Sequence, residues 1–299
     1  MNANKPPWRV EPLTGSFGAN VTDVALRDLD EGEALLSLLE EHLVLVFRSQ
    51  HLTHGEQSRV ARLMGEVTPA HPVVPGHPDF PEILELNAQQ GGKNARWHTD
   101  VTFVESPPAA SVLVADHAPR FGGDTLWADA RGAYAALAPE LRGALDHWEA
   151  VHRISPLAYW GEPFDSALSR EDAQYLFDEA SKVPPVVHPV VRVHPTTQRP
   201  ALFVNPGFTT HIVGLSRIES DHLLRLLYDH VVQPEFTLRH HWEPGDVVLW
   251  DNRATLHYAT DDYGTAERRM RRITLRGTKA TGLHGQRSHV ADDPLASVR

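Results

Sequence analysis

Apolar positions along this chain come in short bursts rather than long stripes. Residues 43–47 (LVLVF), 83–86, 109–115, 125–127, 186–193, 201–204, 237–242, 247–250 and 268–276 each have the length of a strand and are bounded by turn-forming residues. The segment 9–24 reads as extended pieces broken at Gly15 and Gly18. Helical spacing is confined to a few stretches. Ala34, Leu35, Leu38 and Leu39 share one face of a helix over 30–42, and Leu223, Leu224, Leu226, Leu227 and Val231 mark another over 218–231. Thr53 is placed to cap a helix running to Met64, with Glu56 completing a capping box. A further helix is predicted over 130–146. The stretch 72–81 is a Pro-rich loop, 154–185 reads as an irregular covering loop with Tyr159 and Phe164 as pocket candidates, and the chain from about 284 reads as a polar tail. Many short strands with helices to one side predict a mainly β fold of the double-sheet jelly-roll kind. No repeat and no break in composition divides it, so residues 1–299 are expected to form one domain.

Composition narrows the function. The 299 residues carry a formal net charge of −11, which argues against nucleic acid or an anionic membrane as a partner. No signal-like or membrane-spanning apolar run is present, so a cytoplasmic protein is expected. The absence of cysteine removes disulfides, thiolate metal sites and cysteine nucleophiles together. Histidine is abundant, with 19 copies, and invites a search for a metal site.

Two histidines and a carboxylate on one face of an octahedral ion leave positions open for reactants, as in Fe(II) oxygenases. An H-x-D or H-x-E pair on a strand supplies two of the three ligands, because alternate residues project to one side. His77–Asp79, His98–Asp100, His147–Glu149 and His241–Glu243 are such pairs. Pro78 and the Pro-rich loop disfavour strand geometry for the first, and the last two read as solvated surface. His98–Asp100 lies in RWHTDVTF, whose aromatic and β-branched neighbours suit a dry, shaped site, and His257 in WDNRATLHY is a candidate third ligand. Taken alone, His257 reads more readily as a core or loop histidine than as a ligand. In RRMRRITLR, alternation puts Arg268, Arg272 and Arg276 on one strand face. Arg268 and Arg272 would stand roughly 13 Å apart on an extended strand, enough to grip two separate anions. The bland reading is an edge strand made basic to discourage aggregation.

Together, W-H-T-D-V-T-F at 97–103, G-G-D-T-L-W at 122–127, W-D-N-R-A-T-L-H at 250–257 and the two arginines that follow resemble the taurine/2,4-dichlorophenoxyacetate dioxygenases. The resemblance spans about 43–277. It implies a double-stranded β-helix fold, with Fe(II) held by His98, Asp100 and His257 and with 2-oxoglutarate and O2 as co-substrates. Arg268 and Thr125 would bind the far carboxylate of 2-oxoglutarate. An Asp at position 100 implies hydroxylation rather than halogenation. His71, Asn94, Phe208 and Arg272 match the family's substrate positions. A small anionic substrate follows, with a sulfonate such as taurine leading and an alkyl sulfate ester, an aryloxyalkanoate or a specialised metabolite as alternatives. Val74 and Lys93 depart from the taurine-type pocket. From other classes, a zinc hydrolase or a non-catalytic jelly-roll binding protein would use the same triad, though a hydrolase has no need of the Arg268–Thr125 pair. Folds of this kind often pair, so a homo-oligomer is compatible with this reading.

Overall fold

The structure, a computed structural model, describes residues 8–87, 95–154 and 170–291. Sixteen strands and six α-helices are found among them. A seven-stranded sheet is built from β1 (Arg9–Pro12), β2 (Ala19–Thr22), β3 (Val44–Phe47), β13 (Val247–Asp251), β5 (Ala110–His117), β15 (Arg269–Leu275) and β4 (Leu84–Asn87), in that spatial order. Only the β2–β3 contact in it is parallel. A three-stranded sheet orders β12 (Thr237–His240), β6 (Thr125–Asp129) and β14 (Thr255–Ala259). A four-stranded sheet orders β11 (Thr209–Ile212), β7 (Glu149–His152), β8 (Val186–Pro189) and β16 (His289–Val290), and β9 (Val191–Val193) pairs with β10 (Pro200–Leu202).

The continuous apolar runs have a simple cause: the large sheet is covered on both faces. Along β13, Val247 and Leu249 pack with Leu45, Phe47, Val112 and Val114 under α1 (Glu33–His42) and α2 (His54–Met64). Val248 and Trp250 point the other way, into a core shared with Trp127 and Leu256 of the small sheet. Alternation along β15 sends Met270 into that inner core and Ile273 and Leu275 under the helices.

Several expected boundaries move. The Thr53–Glu56 capping box forms as expected, and Ser216–Glu219 makes a second one ahead of α6 (Arg217–Val231). Such a cap is worth about 1 kcal/mol. The helix expected over 130–146 is two, α3 (Ala130–Ala136) and α4 (Pro139–Leu145), because Pro139 cannot continue a helix but starts one well. The irregular stretch expected over 154–185 contains α5 (Arg170–Ser181), while Tyr159 and Phe164 lie outside the described residues. The strand expected over 186–193 divides at Val190 between two sheets. The tail expected from 284 is partly ordered, since β16 pairs with β8.

Candidate active site

Three chain segments meet between the large and small sheets. His257 stands on β14 opposite Trp127 of β6. His98 joins it through a two-way backbone bridge, 3.0 Å from His98 N to His257 O and 2.7 Å in return. Asp100 arrives by a turn rather than along a strand, which corrects the expected H-x-D geometry: Val101 takes φ +55°. Asn252 holds that turn, accepting from Asp100 N at 2.8 Å and donating to Asp100 O and Pro108 O at 3.0 Å each. His98 Nε2 and His257 Nε2 both lie 3.8 Å from Asp100 Oδ1, and the three residues are buried. One ligand atom from each lies within 4.8 Å of the others. Gly207 presses on this cluster, since a Cβ there would come 2.8 Å from His98 Cβ.

Electrostatics prepare these side chains as ligands. Burial is the largest influence on both imidazoles and pushes their pKa below the ordinary value, so each keeps a neutral nitrogen at neutral pH. Burial alone would raise the Asp100 carboxyl. The Arg272 guanidinium, with smaller help from both histidines and Ser111, instead brings it down to about 2. Ser111 Oγ donates to Asp100 Oδ2 at 2.9 Å, and Arg272 Nη1 donates to Oδ1. Two neutral imidazoles and one carboxylate converge, with His98 Nδ1 held by Arg96 O at 2.8 Å and Asp100 held by Ser111 and Arg272, and the set fits a divalent transition metal.

Arg268, immediately before β15, and Arg272 on it both point inward, whereas Arg276 follows the strand and pairs with Glu66 at the surface. The edge-strand reading also fails, because β15 lies between β5 and β4. Arg268 Nε donates to Gly123 O at 2.9 Å and its Nη2 reaches Thr125 Oγ1 at 3.4 Å. Trp242 Nε1 fixes that hydroxyl at 2.9 Å. Gly123 has φ +68°, and a Cβ on it would meet Pro119 Cγ at 2.8 Å and Arg268 Cδ at 3.2 Å, which accounts for glycine in this turn. Arg272 Nε and Nη2 are buried without a hydrogen-bond partner.

His71 and Phe208 are buried near this centre. His71 Nδ1 accepts from Val73 N and Val74 N at 3.1 and 3.2 Å, so Nε2 carries its proton. Burial first, then Arg272, pushes its pKa down to about 3. Phe208 packs edge-on against His98 and Phe103, with ring centroids 6.3 and 4.9 Å away. Asn94 and Lys93 lie outside the described residues. Sequence reasoning missed the supports. Thr102 Oγ1 meets His152 Nδ1 at 3.0 Å and Asn205 Nδ2 at 3.1 Å, and Thr102 O accepts from His188 Nε2 at 2.8 Å. The only signal for these two histidines was a lone His within an apolar strand, a pattern shared by ordinary core histidines.

A mainly β protein with a buried His-Asp-His cluster and two inward arginines has the groups that a metal-dependent oxygenase needs. The chain matches the model of the family "Taurine catabolism dioxygenase TauD, TfdA family" over residues 9–274, and it belongs to that family. It is 43% identical to an alpha-ketoglutarate-dependent sulfate ester dioxygenase of Pseudomonas putida, covering 93% of each chain. It is 39% identical to an alkylsulfatase of Acinetobacter baylyi, over 93% of this chain and 87% of that one. Its structure is similar to that of a taurine dioxygenase from Burkholderia xenovorans, with TM-score 0.80, 34% identity and 96% and 97% of the two chains covered. The protein is therefore an enzyme, a 2-oxoglutarate-dependent dioxygenase whose metal is Fe(II) and whose co-substrates are 2-oxoglutarate and O2.

Proposed function

We propose that this dioxygenase, a single-domain double-stranded β-helix, hydroxylates the carbon beside the ester oxygen of an alkyl sulfate. The observation that carries the reading is Arg272. Two of its buried nitrogens lack a partner, and unpaired buried donors of a cation call for an anion. His71 Nε2–H supplies a neutral donor in the same region. Around them Val73, Val101, Phe103, Ile154 and Phe208 form an apolar cluster. Such walls suit an alkyl tail, whereas the ammonium of taurine would lose its hydration against them. The two sulfate-ester relatives support the same choice.

His98, Asp100 and His257 would hold Fe(II), which supplies the redox chemistry that joins O2, 2-oxoglutarate and substrate. Arg268 and the Thr125 hydroxyl would receive the far carboxylate of 2-oxoglutarate as a charge-assisted pair. Arg272 and His71 would hold the sulfate, and Phe208 and Phe103 would exclude water beside the reacting carbon. One oxygen atom goes to succinate, formed with CO2, and the other to the substrate carbon. The hydroxylated ester then breaks its C–O bond, giving an aldehyde and hydrogen sulfate. A sulfonate substrate is the second reading, favoured by the likeness to a taurine dioxygenase. It would yield an aldehyde and sulfite instead.

The test begins with anaerobic protein, Fe(II) and 2-oxoglutarate, whose chelate has a weak visible band. Alkyl sulfates, sulfonates and phenoxy acids are added in turn, and air is then admitted. A band shifted by alkyl sulfates, followed by equal amounts of succinate and sulfate, is the expected result. Sulfite from a sulfonate would move the assignment to the second reading, and no band at all would overturn the iron site.

A further inference from the structure

Among the described residues, one other group of metal-ligating side chains converges. His54 opens α2, His77 lies in the Pro-rich loop, and Glu85 stands on β4 at the sheet edge; one ligand atom of each lies within 4.8 Å of the other two. The imidazoles of His54 and His77 have centroids 4.9 Å apart, and Phe80 packs against both at 5.7 and 5.8 Å. His54 Nε2 is 3.9 Å from Glu85 Oε1, beyond hydrogen-bonding range, and this buried nitrogen has no hydrogen-bond partner. The buried triad shows nearly the same imidazole–carboxylate separation, 3.8 Å. Both are a few tenths of an ångström wider than two ligands at about 2.1 Å from one tetrahedral ion would be.

Charge agrees with geometry. Burial first, and then the Arg271 guanidinium, lowers the His54 pKa, leaving a neutral imidazole. Arg271 itself is paired with Asp116 at 2.8 Å, so its charge is already compensated and Glu85 leaves the trio net negative.

We propose that His54, His77 and Glu85 form a second divalent-cation site, of the Zn(II) type, at the outer edge of the large sheet. Two imidazoles and a carboxylate suit a borderline ion. The side chains of His54 and Glu85 are 35% and 49% exposed, which leaves room for water ligands. His77 Nδ1 accepts from Asp79 N at 3.1 Å, so the proton of the metal-free ring rests on Nε2. An ion here ties α2 and β4 to the loop that follows His71, Val73 and Val74, and so stiffens one wall of the substrate pocket.

Equilibrium dialysis of the full chain against Zn(II), read by elemental analysis, tests the proposal. Wild type should hold two ions per chain and His77→Ala one, and Glu85→Gln should bind the second at least tenfold more weakly. In a His98→Ala/His257→Ala background one ion should remain, and adding His77→Ala should remove it. One ion in wild type, or two in His77→Ala, would overturn the proposal. If the buried-site variant does not fold, wild type against His77→Ala decides alone, with folding checked by thermal unfolding. An unchanged Fe(II)–2-oxoglutarate band in His77→Ala separates this site from the catalytic one.

Discussion

Arg272 makes one ion pair with Asp100 and keeps two further donors for an anion, so its removal should separate substrate binding from co-substrate binding. Charge-assisted hydrogen bonds of this kind are worth about 1.5–3 kcal/mol, so Arg272→Met should lower kcat/KM for an alkyl sulfate by roughly ten- to a hundred-fold or more. The 2-oxoglutarate affinity should fall much less in that variant, through the lost pair with Asp100 alone. Steady-state kinetics with each co-substrate varied would show the larger loss for the sulfate, and an equal loss for both would contradict the assignment. His188 makes a second prediction at this scale. Burial pushes its pKa down from 6.5 to about 3, with Arg192 adding to the effect and the bond to Thr102 O opposing it. Between those values the unfolded chain binds a proton that the folded chain refuses. Stability is therefore full above about pH 6.5 and drains away as pH falls toward 3. His152 shifts in the same direction. Thermal unfolding of metal-stripped protein should show Tm falling through this window, and His188→Gln should flatten the fall. Equal slopes for the two proteins would count against the buried neutral imidazole.

At the scale of elements, the metal-binding turn shows how far the sequence can be read. The pair His98–Asp100 stood out from its neighbours by composition, His257 and both arginines were candidates from their strand contexts, and the resemblance gave them their roles. The turn that delivers Asp100 could not be seen, because an H-x-D pair on a strand and one on a bridge followed by a turn have the same spelling. What decides is Asn252, far along the chain, whose side chain satisfies both the N–H and the C=O of Asp100. Long-range hydrogen bonds of this sort leave no periodicity. The apolar runs of β3 and of β13 as far as Trp250 were legible because burial on both faces writes itself as a continuous run. The divided strand over 186–193 was not, since a change of sheet at Val190 alters partners and leaves hydrophobicity the same. Helix α5 was missed because aromatics in the preceding segment suggested a covering loop throughout. Asn252→Ala should loosen the turn without removing a ligand. Second-layer supports of this kind typically cost about 10- to 100-fold in metal affinity. Mn(II) binding followed by electron paramagnetic resonance should show a loss of that size with the secondary structure intact by circular dichroism. Unchanged affinity would mean that the backbone bridge between His98 and His257 is sufficient.

At the scale of the whole molecule, the seven-stranded sheet serves both apolar cores. Val247 and Leu249 belong to one and Val248 and Trp250 to the other, so neither core can come apart without exposing β13. The groups proposed to hold metal, co-substrate and substrate hang on the same framework, with Arg272 on β15 and Thr125 and His257 on the facing sheet, and Ser111 on β5 supports Asp100. A ligand that binds there should stabilise the sheets together. Mn(II), which binds without the oxidative chemistry, and 2-oxoglutarate held at about 100 times their joint dissociation constant would add about 2.7 kcal/mol. For domains of this general size each kcal/mol moves Tm by about 2–4 °C, so a rise of roughly 5–10 °C is expected. Scanning calorimetry should show one transition before and after addition, displaced as a whole. Asp100→Asn should keep the single transition but lose most of the displacement, because the carboxylate charge that the ion requires is gone. Two separable transitions would mean that the cores unfold independently, and a full displacement in Asp100→Asn would mean that Mn(II) stabilises the chain from somewhere other than the triad.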